Sequence, residues 1–518
     1  MWSVLGNTLL LAATVAGLAL PTGTLLGWLL TRVAWPGRFV VGASLALLLF
    51  LPLYLQAAAW DAGFGRQGWY TYLWTQVSLP WLTGWRAAIF IHSVAALPWV
   101  TLITAVGFQQ VEKKLEEAAW LDGPQLATFR RVALARAWPS IVVAGAWVLI
   151  LVAGEMTVTD MYQVRTFAEE LYINFALGDD LVENLSRLSA GLTLLATVLV
   201  AVAIGLAYWL PGRVVGVPRR SAPMRGERSV RVIAACGGVL VGVMTLVPIG
   251  NLVHNAGVDV QRADGRAVRS WSAGKAAAIV AGTPRRYAAE FRGTAELAAW
   301  STIFTLSLAV PLAWWARRGR VRMMVAALAG LSGLVVPGPL FAVGLLRLRD
   351  LVALDAFDTL AERSLVLPAV VVAWRSLAVC TAVLWYGFRT VPVAQLEAAA
   401  LDGLSPLRQL WHLGLAQRKS NVAAAAIIAW SLAAGDLTST ILLVPQRYST
   451  IAIRTFQLVH AGVDDRLAGL CLVSTALFAA AAIAILALTS RGFIVAHGGL
   501  YSATDGLVDQ SSSAARPR

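Results

Sequence analysis

Two heptapeptides carry the most specific pattern in this 518-residue chain: Glu-Ala-Ala-Trp-Leu-Asp-Gly at 117–123 and Glu-Ala-Ala-Ala-Leu-Asp-Gly at 397–403, which agree at six of seven positions, 280 residues apart. Such a segment holds no nucleophile and no metal-ligand spacing. It can form a short amphipathic helix with a small apolar face, a shape suited to a groove on a soluble partner. In the first copy the helical register groups Val111, Leu115, Ala118 and Ala119 on one face and turns Glu112, Lys113, Glu116 and Glu117 mostly away. Gly123 and Gly403 are expected to end the two helices in left-handed backbone, and Pro392 suits the first turn of the second copy. Each copy is therefore a helix–Gly–helix elbow.

Three charged residues fall inside apolar runs. Glu155 follows Gly154 and Asp436 follows Gly435, so an acid recurs with the repeat. A charge at the bilayer centre costs about 2.5–3.5 kcal/mol on insertion scales, so it turns to protein or to a watery path. Lining of a translocation path near its outer mouth is one reading of these acids, and helix ends hydrated at the interface is the other. Arg375, within Trp374-Arg375-Ser376, suits an anionic passenger or a structural pair with an acid such as Asp436. Nothing points to catalysis in the chain itself. His92, His254, His412, His460 and His497 are scattered without HExxH, and Cys236, Cys380 and Cys471 form no CxxC. Gly274-Lys275 is the only Gly-Lys and lacks the remainder of a phosphate-binding loop. No catalytic residue, metal ligand or resident cofactor is expected.

The composition says what must carry these residues. Apolar residues make up 58% and charged ones 14%, too few charges to clothe a water-soluble surface of this size. Only four of the 42 basic residues are Lys, and the Arg sit in short clusters between apolar runs, unlike the basic stripe of a nucleic-acid binder. The chain is expected to be an all-α polytopic membrane protein. Eleven stretches are long and apolar enough to span: 4–31, 39–59, 87–108, 140–160, 188–210, 232–253, 294–316, 323–346, 365–388, 422–445 and 467–490. Residues 211–231, with Pro, Gly and six Arg, form a basic linker, and 491–518 is expected to be a disordered tail.

With the N-terminus outside and the C-terminus cytoplasmic, the inner segments hold 24 Lys/Arg against nine acids and the outer ones 17 against sixteen. The heptapeptide match extends on both sides: Gly107-Phe108 against Gly387-Phe388, and, after one inserted residue, Ala153-Gly154-Glu155 against Ala434-Gly435-Asp436. Residues 1–210 and 232–490 are thus two copies of a five-helix unit, with the span at 232–253 added before the second. The repeats are parallel, and both elbows face the cytoplasm.

An E-A-A-x-x-x-G segment in a cytoplasmic loop, given twice, resembles the EAA loops of fused permease subunits of binding-protein-dependent ABC importers, those of the ferric-iron type above all. The likeness covers nearly the whole chain. It implies a type I importer-permease fold in a cell (inner) membrane, with Glu117, Ala118, Ala119, Asp122, Gly123, Glu397, Ala398, Ala399, Asp402 and Gly403 docking two ATPase subunits. It also implies a solute-binding protein on the outer face, with ATP and magnesium held by the ATPases. Ferric iron is the passenger that the resemblance favours, with thiamine, phosphonate or another small solute as alternatives. An ion-coupled carrier and a polytopic membrane enzyme are the rivals from other classes. Where the family's elbow continues to a Pro, this chain has Ala135 and Ala416.

Overall fold

The computed structural model describes residues 2–66, 68–74, 80–176, 224–263, 266–352, 361–462 and 464–512. Apart from Thr193 and Thr197, the expected span at 188–210 lies outside them, as does the linker before Met224. The chain is an all-α polytopic membrane protein. Among the described residues seven helices are long and apolar enough to cross a membrane, and two bent helix pairs bring the number to nine.

The first unit opens with α1 (Trp2–Arg32) and the two-residue strand β1 (Val33–Ala34). Helices α2 (Arg38–Phe50) and α3 (Leu53–Phe64) follow, then α4 (Trp69–Trp74) and α5 (Gly84–Gln109). The elbow comprises α6 (Lys113–Leu121) and α7 (Gln125–Thr128), and a π-helical turn at Phe129–Ala133 leads into α8 (Leu134–Ala153). Short helices α9 (Thr157–Met161) and α10 (Phe167–Ala176) come next.

The second unit is preceded by β2 (Met224–Arg225), paired in parallel with β1, and by α11 (Arg228–Gly257). The stretch between the expected spans at 232–253 and 294–316 holds an antiparallel hairpin, β3 (Val258–Ala263) and β4 (Arg266–Trp271), and α12 (Ala273–Arg286). Then come α13 (Ala288–Ala316), α14 (Arg320–Val335), α15 (Gly338–Val352) and α16 (Val366–Arg389). The second elbow, α17 (Val393–Leu401) and α18 (Pro406–Gln409), passes through another π-helical turn, Leu410–Leu415, to α19 (Lys419–Ala434). Helix α20 (Ile451–Ala461) precedes α21 (Asp464–Ser512), which continues the last expected span into the segment read as a tail.

Eleven continuous spans are not what is found. The expected spans at 39–59 and 323–346 are broken helices, bent by 107° between α2 and α3 and by 90° between α14 and α15. Each break contains a proline, Pro52 or Pro337, whose missing N–H and ring cannot continue a helix. The expected span at 422–445 stops after 16 residues, at Ala434, where Gly435-Asp436 leads into successive turns.

The arms beyond these breaks are exchanged between the units. In α3, Tyr54–Trp60 and Gly63 are all buried, and its Tyr54, Leu55 and Ala58 join a core cluster with Val372, Ala433, Leu437 and Cys471 of the second unit. In return, Leu340 of α15 packs on Phe167 and Leu171 of α10 and on Val4 and Leu5 of α1. Lipid offers no hydrophobic gain for such contacts, so close approach through small residues must hold them, and α3 supplies Ala57, Ala58, Ala59 and Gly63. The added helix α11 rests on α2, α3 and α21 and so bridges both units.

Candidate functional site: two unequal elbows and a crossed junction

The first elbow is anchored by charge. Arg32 and Glu116 form an ion pair at 3.3 Å with side chains 6% and 1% exposed. The Arg32 guanidinium also donates to the carbonyl oxygen of Phe108, which shares it with the Val111 N–H, and to that of Val111, just past the end of α5. This overturns part of the amphipathic expectation. Glu116 faces inward, whereas Leu115 and Ala118 face out and Leu121 is 90% exposed. A second anchor comes from the far side of the linker. Glu227 Oε1 accepts from Trp120 Nε1 at 2.7 Å and from the Gln125 N–H at 3.0 Å, while Gln125 Oε1 accepts the Glu227 N–H at 3.0 Å.

The second elbow stands without those anchors. Leu396 replaces Glu116, Ala400 replaces Trp120, and one residue is inserted after Gly403. The insertion changes how the helix ends. Gly403 adopts φ +76°, Asp402 N donates to Ala398 O at 3.0 Å, and Leu404 N donates to Ala399 O at 2.9 Å, closing α17 in a Schellman-type cap. Gly123 is not among the positive-φ residues, so the expected left-handed close holds for Gly403 alone. Ser405 caps α18 by accepting from Arg408 N, and Arg418 Nη2 donates to Thr390 O at 2.8 Å.

Despite these differences the two elbows present the same outer face. Glu117, Ala118 and Asp122 are exposed, as are Glu397, Ala398, Asp402 and Gly403, whereas Ala119 and Gly123 are half-buried and Ala399 is buried. Leu401, at the position matching Leu121, is also 90% exposed. These two leucines are functional candidates that the motif alone did not mark. Their signal was identity at a position where an ordinary interfacial helix would place a polar residue.

The intramembrane charges gather where the units cross, at the ends of α8 and α19 remote from the elbows. Glu155 Oε2 lies 3.3 Å from Nε2 of His92 on α5, and its carboxylate accepts the Thr157 and Val158 N–H groups at 2.6 and 3.1 Å. Asp436 Oδ2 lies 3.5 Å from Nε of Arg375 on α16, and the carboxylate accepts the Ser439 N–H at 3.0 Å and hydroxyl at 3.2 Å. Each acid thus closes the turn after its helix and is faced by one base. The pairing of Arg375 with Asp436 is the second reading the sequence left open for that Arg. His92, scattered in the sequence, gains a partner only through the fold.

The broken helices meet at the same place. A Cβ on Gly435 would lie 2.6 Å from Pro52 Cγ of the other unit, and one on Gly154 would meet Pro337 Cα at 4.0 Å. Carbonyls freed at the breaks are met by side chains: Gln56 Nε2 donates to Leu48 and Leu51, and Arg375 Nη1 to Val336. On the elbow side of this level, Ile150 of α8 packs on Leu331, Leu334 and Val335 of α14, closing the first unit against the second with apolar side chains.

At the end opposite the elbows, His460 of α20 meets Asp160 of α9 at 3.2 Å, one residue from each unit. The bond to Asp160 raises the His460 pKa above its ordinary 6.5, against a smaller opposing effect of burial. Beside it, burial together with Asp160 and Glu170 pushes the Glu169 carboxyl up to about 7. Tyr162 donates to Asp61 at 3.2 Å across the same surface.

No family model matches the chain. It is 32% identical over 124 residues to a probable sulfate transport system permease protein of Chlorella vulgaris, covering 23% of this chain and about half (45%) of that protein. It is 26% identical over 180 residues to the molybdenum transport system permease protein ModB of Escherichia coli K12, covering 32% of this chain and 78% of ModB. The sulfate transport system permease protein CysT of Synechocystis is 30% identical over 132 residues, 24% of this chain and 45% of that protein. The matched segment is thus most of ModB but less than half of this chain. The relatives named here are permease proteins for sulfate and molybdenum, so the similarity does not carry the ferric-iron expectation.

Proposed function

We propose that the chain is the membrane permease of an ATP-driven, binding-protein-dependent importer of a small oxyanion of the sulfate or molybdate kind. The observation that carries this reading is the pair of elbows, one per unit, each exposing a Leu between Ala-Ala and Asp-Gly. Similarity to sulfate and molybdenum permease proteins supports it and supplies the passenger class. Each elbow seats one of two ATPase subunits, which bind ATP and magnesium. The N-terminus is outside the inner membrane, the C-terminus and both elbows are cytoplasmic, and a solute-binding protein docks outside.

Closure of the two ATPases draws the elbows together. Each elbow joins a helix before it, α5 or α16, to one after it, α8 or α19, so its displacement tilts both helices against the other unit. That motion bears on the apolar contact of Ile150 with Leu334 and Val335, and on Pro52 against Gly435. Glu155, Asp436 and Arg375 flank the path at the level where the units cross. Arg375 is engaged by Asp436, and Glu155 by two backbone N–H groups with His92 beside it, so Arg375 is not free to hold an anion tightly. Selectivity then belongs to the binding protein.

The test is uptake of radiolabelled sulfate and molybdate by vesicles holding the permease, its ATPase and its binding protein. Uptake is expected to require internal ATP and to be lost on combining Leu121→Asp with Leu401→Asp. Uptake driven by a proton gradient without the ATPase would refute the reading.

A further inference from the structure

We propose that Glu227 is a positioning residue that brackets the first elbow to α11, so that the two motor sockets are mechanically unequal. The inference rests on the importer reading above and deepens it. Three observations carry it.

The first is the bracket itself. Glu227 is the N-cap residue of α11, and its side chain reaches away from α11 to accept from both arms of the elbow, Trp120 on α6 and Gln125 on α7. The Gln125 side chain returns the contact by accepting the Glu227 N–H. Three hydrogen bonds thus tie two segments about a hundred residues apart, and Gln125 is 1% exposed. Adjacent to it, Val33↔Met224 and Ala34↔Arg225 pair as a short parallel ladder. Buried Gly226 is packed so closely on the strand that a Cβ there would lie 2.8 Å from Val33 Cγ1.

The second is what α11 touches. From its bracketed end it runs along α2 and α3 and against α21, and Leu252 and Ala256 belong to the cluster that joins α3 to the second unit's core. A displacement of the first elbow therefore has a stiff route into the second unit that bypasses α8.

The third is that the second elbow cannot make the same bracket. The positions matching Trp120 and Gln125 hold Ala400, with no side-chain donor, and, past the inserted residue, Pro406, with no backbone N–H. The hydrogen bonds described for the second elbow run within its own unit. A motor stroke at the first socket thus has a bracketed route into the second unit that a stroke at the second socket lacks.

The experiment measures uptake and ATP hydrolysis together in vesicles containing the whole complex, for wild type, Glu227→Ala and Glu227→Gln. Both bonds to the side chain end on Oε1 and both donors are neutral, so an amide oxygen can replace the carboxylate. Glu227→Ala is expected to lower solute moved per ATP at least fivefold while the ATPase still co-purifies, and Glu227→Gln to restore most of it. An unchanged ratio in Glu227→Ala overturns the bracket, and so does an equal loss in the Gln variant. Should Glu227→Ala fail to assemble, Trp120→Phe removes one bond only, and an unchanged ratio there overturns it equally. Failure of the importer reading would show separately, as absence of ATP-dependent uptake in the wild type.

Discussion

Replacing either partner of the Arg32–Glu116 pair should damage the fold by different amounts, and the structure gives the order. Both side chains are buried at a 3.3 Å ion pair. Removing one partner of a buried pair strands the other charge and costs about 3–5 kcal/mol. In Glu116→Leu the stranded group is Arg32, which keeps the carbonyls of Phe108 and Val111, so the cost belongs at the lower end, about 3 kcal/mol. In Arg32→Met the stranded group is a carboxylate with no hydrogen-bond partner for either oxygen among the described residues, so the cost belongs at the upper end, about 5 kcal/mol. The double variant strands no charge and orphans at most the Val111 carbonyl, since Phe108 O keeps the Val111 N–H, for about 1–3 kcal/mol. The natural Leu396 at the matching place in the second elbow shows that an apolar side chain is accommodated there. Equilibrium unfolding in mixed micelles, followed by Trp fluorescence and far-UV circular dichroism, should rank Arg32→Met worst, then Glu116→Leu, then the double. A double variant as unstable as either single, or a Glu116→Leu cost below about 1 kcal/mol, would refute burial of the pair as the reason for its strength.

The exposed leucines give the next test: Leu121→Asp and Leu401→Asp should each reduce ATPase co-purification at least tenfold yet shift stability by no more than about 0.5 kcal/mol, since neither is packed in the chain. Gly403→Ala should cost about 1–2 kcal/mol in the same unfolding assay, because Gly403 is left-handed, whereas Gly123→Ala should be near neutral. Neither added Cβ meets an atom within 4 Å, so backbone conformation alone separates the two. At the opposite end, the Asp160–His460 bond raises the folded pKa of His460, so its stabilising contribution is full below 6.5 and fades as pH rises through the higher folded value. Thermal stability of wild type minus His460→Ala, measured from pH 5.5 to 8.5, should shrink with rising pH, and a flat difference would remove the bond. Glu169 slopes the same way, but as a penalty: its raised pKa costs stability as pH rises from 4.5 towards about 7, so Glu169→Gln should stabilise at pH 8 and matter little at pH 4.

Much of this architecture was legible because duplication writes itself twice. The repeated heptapeptide marked the two segments that fold as elbows, and charge in apolar runs picked out Glu155, Asp436 and Arg375. The sequence failed where a local rule met a distant partner. Amphipathic reasoning sends Glu116 outward, towards solvent and Lys113 one turn before it; its partner in the fold is Arg32, 84 residues earlier. Hydropathy averaged over twenty residues passes across Pro52 and Pro337, so two broken helices resemble two spans. The prolines were visible, but a proline alone does not distinguish a kink from a right-angled break. Glu227 lay in a basic linker, where an acid reads as a solvated charge.

The junction shows what the duplication retains. The acid keeps its place after the same glycine, at 155 and 436, but the base does not. Arg375 lies three residues nearer the elbow along α16 than the position matching His92 on α5, almost one helical turn. A guanidinium on four side-chain bonds spans that turn, whereas an imidazole must sit opposite its acid. The two units therefore partner the same carboxylate, at 3.3 and 3.5 Å, with different residues at different heights. Comparison at a fixed offset sees no match there, because the geometry is kept while the residue is not. In each unit the carboxylate that bonds the turn after its helix is met by a base that arrives from the helix before the elbow.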